Sequence, residues 1–138
     1  MKAYVDASVF LRLTLNEPGR LRAWGEHELY ISSVLAEVES FRTLDRARLS
    51  GRLSEGELVE RRETLSELLS ACELVSLARP IMIRAAETFP VALGTLDALH
   101  LATALSWREA RQEDLLMATH DMALALAARS LGFKVIGV

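Results

Sequence analysis

The chain has 138 residues, of which 51% are apolar and 25% charged, a size and balance suited to one soluble core at residues 1–138. Its net charge of −3, taken whole, argues against a general nucleic-acid binder, and no charge-free stretch reaches the ~18 residues that span a bilayer. The single Cys72 excludes an intrachain disulfide, no Cys/His spacing suggests zinc, and no leader pattern opens the chain, so a cytoplasmic protein is expected.

Apolar periodicity then alternates between strand and helix. Lys2 to Val5 reads as a short buried strand, closed by Asp6, and Ala7 to Leu15 as a helix. Pro18-Gly19 marks a break, with a second short helix expected to about Gly25. Glu28 to Ser32 reads as a strand, and Ser33 offers an N-cap to a helix through Leu49, ended by Ser50-Gly51. On that helix Val34, Val38, Phe41 and Leu49 read as one apolar stripe. Ser54 and Glu57 have capping-box spacing and open a helix to about Ala71. A strand over Glu73 to Leu77 follows, with Cys72 a small hydrophobe near its start, then a short helix begun at Pro80. Pro90 to Gly94 reads as loop, Thr95 as the cap of a helix to about Glu109, and Asp114 to Thr119 as a strand. Met122 to Leu131 is a helix with Gly132 at C′, and Phe133 to Val138 a last strand. This alternation predicts a three-layer α/β/α sandwich with a central, mainly parallel sheet.

Three aspartates fall where strand or loop gives way to helix: Asp6, Asp97 and Asp121. In an open parallel sheet the strands' carboxyl ends share one rim, where ligands bind. Acids gathered on that rim call for a hard divalent cation. Singly, each has an ordinary explanation: Asp6 and Asp121 as N-caps, and Asp97 as a first-turn acid favoured by the helix dipole. A fourth acid lies within the helix after Ser33, where periodicity does not choose between Glu37 and Glu39. Glu39 shares its flank with Arg42 and Arg46, residues suited to holding a carboxylate or gripping phosphate. His100 lies one turn beyond Asp97, placed for packing or for orienting that carboxylate. Ser8 and Thr119 stand near strand ends, where each either orients an acid or caps locally. Fourteen of the 16 basic residues are Arg, six of them between 42 and 62, and without the four acids the rest of the chain is slightly positive.

Four segments together carry a family resemblance. They are Tyr4-Val5-Asp6-Ala7-Ser8; Ser32-Ser33 with Val38-Glu39-Ser40-Phe41-Arg42; Thr95-Leu96-Asp97-Ala98-Leu99-His100-Leu101-Ala102; and Thr119-His120-Asp121 with Ala127-Ala128 and Leu131-Gly132. In this order and spacing the chain resembles PIN-domain ribonucleases of the VapC toxin type over essentially its whole length. The resemblance implies a metal-dependent endoribonuclease in which Asp6, Glu39, Asp97 and Asp121 hold Mg²⁺ or Mn²⁺. Its E-x-x-R pattern favours Glu39 over Glu37. It further implies an RNA substrate, a cognate antitoxin that inserts a segment into the active-site groove, and a homodimer. His120 stands where many relatives carry an aromatic residue.

Other acid-bearing α/β folds fit less well. A haloacid-dehalogenase-type phosphatase requires a second Asp where Ser8 stands, and no Gly-rich phosphate loop ending in Gly-Lys-Ser/Thr is present. A non-catalytic PIN-like binding module and a PIN nuclease of RNA maturation are the remaining alternatives.

Overall fold

A computed structural model describes residues 1–138. Five strands, β1 (Lys2–Val5), β2 (Tyr30–Ser33), β3 (Cys72–Val75), β4 (Leu115–Ala118) and β5 (Lys134–Ile136), form one sheet in the order β3-β2-β1-β4-β5. Every neighbouring pair is parallel, so the sheet is wholly rather than mainly parallel. Six helices connect and cover it: α1 (Ala7–Thr14), α2 (Val34–Leu49), α3 (Glu55–Ser70), α4 (Arg79–Ala85), α5 (Thr95–Arg111) and α6 (Met122–Ser130).

Successive strand side chains point to opposite faces, and β1 shows what this does to the core. Ala3 and Val5 join a cluster with Val9 and Phe10 of α1, Leu44 of α2 and Leu65 of α3. Tyr4 turns the other way, among Leu101 and Leu105 of α5, Met117 of β4 and Leu124 of α6. The sheet is thus sandwiched between α1–α3 and α5–α6, with α4 packed on α5. Strand order reverses at β1, since β2 and β4 lie on its two sides. The crevice at the carboxyl end of β1 is therefore the topological switch point, the place such sheets bind ligands.

Local chemistry explains most boundaries. Ser33 Oγ accepts from Leu35 N–H, and the Ser54–Glu57 capping box is complete in both directions. Gly132 occupies C′ of α6 at φ +85°, a conformation glycine adopts without strain. Cys72 opens β3 half-buried, and desolvation pushes its thiol up to about 12, so it behaves as a small hydrophobe.

Four expectations need correction. Residues 16–29 contain turns in place of the second short helix. Asn16, Gly19 and Gly25 take positive φ there, and the segment wraps Tyr30. Gly25 N–H donates to the Tyr30 hydroxyl at 2.5 Å, and Trp24 stacks on its ring at 4.1 Å. Side-chain packing onto one aromatic has replaced a helical ladder. Thr95 is the first residue of α5 rather than its cap; Gly94 holds the cap position with no side-chain bond. The stripe read on α2 is displaced as well: Val38 and Leu49 are exposed, whereas Ala36, Ser40, Leu44 and Ala47 are buried. The buried line of α2 is set by Leu44, which enters the core cluster with Val9, Phe10 and Leu65. Finally, β2 starts two residues later than expected, and β3 ends two residues earlier.

Candidate active site

A cavity of about 430 Å³ opens at the carboxyl end of β1, walled by the starts of α1, α5 and α6 and by the middle of α2. Asp6, Glu39, Asp97 and Asp121 all line it, as do Ser8, Arg42, Arg46 and His100. Thr119 is fully buried immediately behind. Glu37, the competitor of Glu39, is exposed and does not line the cavity.

Asp6 is the most deeply set, at 4% exposure. It caps α1, its Oδ1 accepting from Val9 N–H at 3.4 Å and from the Ser8 hydroxyl at 2.5 Å. The Thr119 hydroxyl donates to Oδ2 at 2.7 Å, and Thr119 Oγ1 itself accepts the Asp121 N–H at 3.0 Å. Ser8 Oγ in turn accepts from His120 N–H at 2.9 Å. Two hydroxyls thus stitch the ends of β1 and β4 together through one carboxylate. Desolvation is the larger influence on Asp6 and raises its pKa, and the hydrogen bonds from Ser8 and Thr119 oppose that. The same junction is closed from behind by the chain end: His120 Nδ1 lies 2.7 Å from Gly137 O. Gly137 has φ +103°, and a Cβ there would collide with the Thr119 carbonyl.

Asp121 caps α6, accepting from Leu124 N–H at 2.9 Å. Asp97 stands in the first turn of α5. Burial, and then the charges of Asp121 and Asp6, push its carboxyl up to about 6; Glu39 adds to this and His100 opposes it. Glu39 is held by His100, whose Nε2 lies 2.6 Å from Oε1. The histidine consequently orients Glu39 rather than Asp97. Its Nδ1 lies 2.7 Å from the Tyr4 hydroxyl, a partner invisible in the local helical pattern. Arg42 does not hold Glu39 either: it pairs with Asp45 at 3.0 Å, while Arg46 donates to Thr43 Oγ1 at 2.9 Å. Both guanidinium groups remain exposed beside the acids.

Four carboxylates sharing one cavity form an all-oxygen, anionic donor set, the kind that Mg²⁺ and Mn²⁺ take. Asp121, Asp6 and Glu39 all push the Asp97 carboxyl upward, so like charges crowd this cavity. No three acids are drawn together into a finished coordination shell. The donor set fits a hard divalent cation in its chemistry, and its open spacing suits an ion that keeps several waters.

Comparison with known proteins agrees with this architecture. The family model of the PIN domain matches residues 3–130. Ribonuclease VapC46 of Mycobacterium tuberculosis is 31% identical, over 96% of this chain and 95% of its own. Ribonuclease VapC47 of the same species is 29% identical, over 94% and 92%. Among solved structures, a toxin–antitoxin complex from Klebsiella pneumoniae superposes with a TM-score of 0.65 at 17% identity, covering 97% of this chain and 95% of that one. VapBC2 from Rickettsia felis, bound to a DNA fragment from its promoter, does so with 0.67 at 10%, covering 99% and 98%. With a family model spanning nearly the whole chain and relatives matching end to end, this protein belongs to the PIN-domain family of VapC ribonucleases.

Proposed function

We propose that the chain is the endoribonuclease toxin of a toxin–antitoxin pair, cleaving RNA phosphodiesters with Mg²⁺ or Mn²⁺ held by Asp6, Glu39, Asp97 and Asp121. The observation that carries this reading is the convergence of those acids, from four separate helices, on one cavity at the sheet's switch point. The names of the VapC relatives support the activity, and the toxin–antitoxin complex from Klebsiella pneumoniae supports the partner.

When bound, the divalent ion lowers the pKa of the attacking water and stabilises negative charge developing on the phosphoryl oxygens. The protein's own residues supply position. Ser8 and Thr119 hold both oxygens of Asp6, so its carboxylate has little freedom to rotate. Arg42 and Arg46 offer planar donor forks to RNA phosphates on the α2 side of the cavity. Leu11, Leu35, Val38 and Leu96 add apolar wall, a surface for the ribose and base of the bound nucleotide or for an antitoxin side chain. We further place residues 1–138 as one domain, active as a homodimer in the cytoplasm; no helix is long and apolar enough to cross a membrane.

The test is cleavage of a mixed RNA pool by purified protein, with RNA ends mapped by sequencing. Mg²⁺ or Mn²⁺ should give discrete ends, chelator should abolish them, and restored Mn²⁺ should bring them back. RNA binding with no cleavage under either ion would instead identify a non-catalytic PIN module.

A further inference from the structure

A buried polar chain runs from the core to the cavity wall. Tyr4 is fully buried on β1, on the sheet face that packs against α5. Its hydroxyl lies 2.7 Å from His100 Nδ1, and the two rings meet edge-on with centroids 5.9 Å apart. His100, at 2% exposure, reaches across from α5 to Glu39 on α2, its Nε2 2.6 Å from Oε1. Three elements from both helical layers and the sheet are linked in this way.

Donor and acceptor counting fixes the hydrogens. An ionised carboxylate only accepts, so the nitrogen facing Glu39 carries the hydrogen. Tyr4 has a phenolic hydrogen; His100 Nδ1 lies 2.7 Å from its oxygen, and the Thr103 hydroxyl, which donates to the Leu99 carbonyl, also neighbours it. For a neutral imidazole, the arrangement that satisfies every atom has Tyr4 donating to Nδ1 and Nε2–H donating to Glu39. The opposite tautomer would set an imidazole lone pair against a carboxylate at 2.6 Å. Glu39 needs such a restraint more than Asp6 or Asp121 does. Those two are N-caps fixed by backbone N–H groups, whereas Glu39 sits mid-helix with His100 as its side-chain hydrogen-bond partner.

We propose that His100 and Tyr4 are positioning residues for Glu39: Tyr4 anchors the His100 ring through Nδ1, and the Nε2–H holds one oxygen of Glu39 so the other faces the cavity. The role rests on the reading of the cavity as a divalent-cation site. Partners that fix a metal-ligating carboxylate in this way typically change metal affinity by about 10- to 100-fold when removed.

Two side chains split the histidine's functions, because Gln places an N–H near the Nε2 position and Asn near the Nδ1 position. In Mn²⁺ titrations of the full chain, His100→Gln should stay within about threefold of the parent, and His100→Asn should weaken binding about tenfold or more. Thermal unfolding confirms that both are folded. Independently of any metal, the imidazole ¹⁵N spectrum at mildly alkaline pH should show a bare Nδ1 and a protonated Nε2. Tyr4→Phe should leave Nε2 protonated, since Glu39 requires it, and should shift the Nδ1 resonance as that nitrogen loses its hydrogen-bond donor. A parent spectrum with Nδ1 protonated would overturn the assignment directly. So would folded Asn and Gln variants that bind Mn²⁺ equally well. A parent protein that binds no Mn²⁺ overturns the cation site itself, and the positioning role with it.

Discussion

The two ends of the parallel sheet treat charge in opposite ways. At the amino end, the partly buried Lys2 pairs with Glu113 at 2.6 Å and the exposed terminal ammonium of Met1 with Glu28 at 3.1 Å, so each charge has a partner of opposite sign. At the carboxyl end, Asp6, Asp97, Asp121 and Glu39 face one cavity, and Asp97 is pushed up to about 6 by burial and by its fellow acids. Pairs of the first kind contribute about 0–1 kcal/mol and are screened by salt. The second arrangement costs stability in the free protein, which a fold tolerates where a bound cation restores the balance.

The largest break in this contrast is Asp6→Asn. It removes the carboxylate gripped by Ser8 and Thr119, and RNA cleavage should fall by more than about 100-fold. Circular dichroism should remain that of the parent, because Asn serves as an N-cap nearly as well as Asp. Wild-type cleavage by such a variant would remove Asp6 from the chemistry.

Next comes the basic flank. Joint replacement of Arg42 and Arg46 by Ala should weaken RNA binding about tenfold. The log–log salt slope should fall by roughly 0.7 for each phosphate that is no longer neutralised. An unchanged slope would leave both residues as surface decoration.

The pH dependence is smaller, and its sign follows from the raised carboxyls. Asp97 titrates at about 6 in the fold against an ordinary 3.8, so its ionised form is disfavoured by folding. With chelator present, the stability it contributes is whole below pH 3.8 and is lost as pH rises through about 6. After discounting for solvent screening of this half-exposed group, the loss is about 1 kcal/mol. Asp97→Asn should flatten that profile in urea unfolding, and Mn²⁺ should stabilise the parent near neutral pH. A parent that gains stability from pH 4 to 7 without metal would contradict the picture of crowded acids.

The amino end should barely respond. Lys2→Ala should shift unfolding by no more than about 1 kcal/mol and leave cleavage untouched. A large loss of activity there would show that the two ends are coupled.

Much of this was legible in the chain because it is local chemistry. Ser54 and Glu57 announce a capping box three residues apart, and Gly132 closes α6 where its backbone must turn left-handed. Asp6 and Asp121 are visible for the same reason, since a carboxylate before a helix has few backbone N–H groups to choose from. The misreadings involve partners far along the chain. Residues 16–29 follow Tyr30 rather than their own helical pattern, and α2 buries alanines and a serine because of what it approaches. His100 was legible as a polar residue on an apolar face, yet its choice of Glu39 over Asp97 depends on a residue 61 positions away.

The sequence by itself determined the alternation of strand and helix, the caps that begin most helices, and the presence of acids at three of their starts. Backbone hydrogen bonding and side-chain period act within a few residues, so a linear string displays them. Only the tertiary structure decided that β1 lies centrally and that Tyr4 and His100 stand behind Glu39. Those outcomes depend on which surfaces pack together, and packing is settled among residues that the chain keeps far apart.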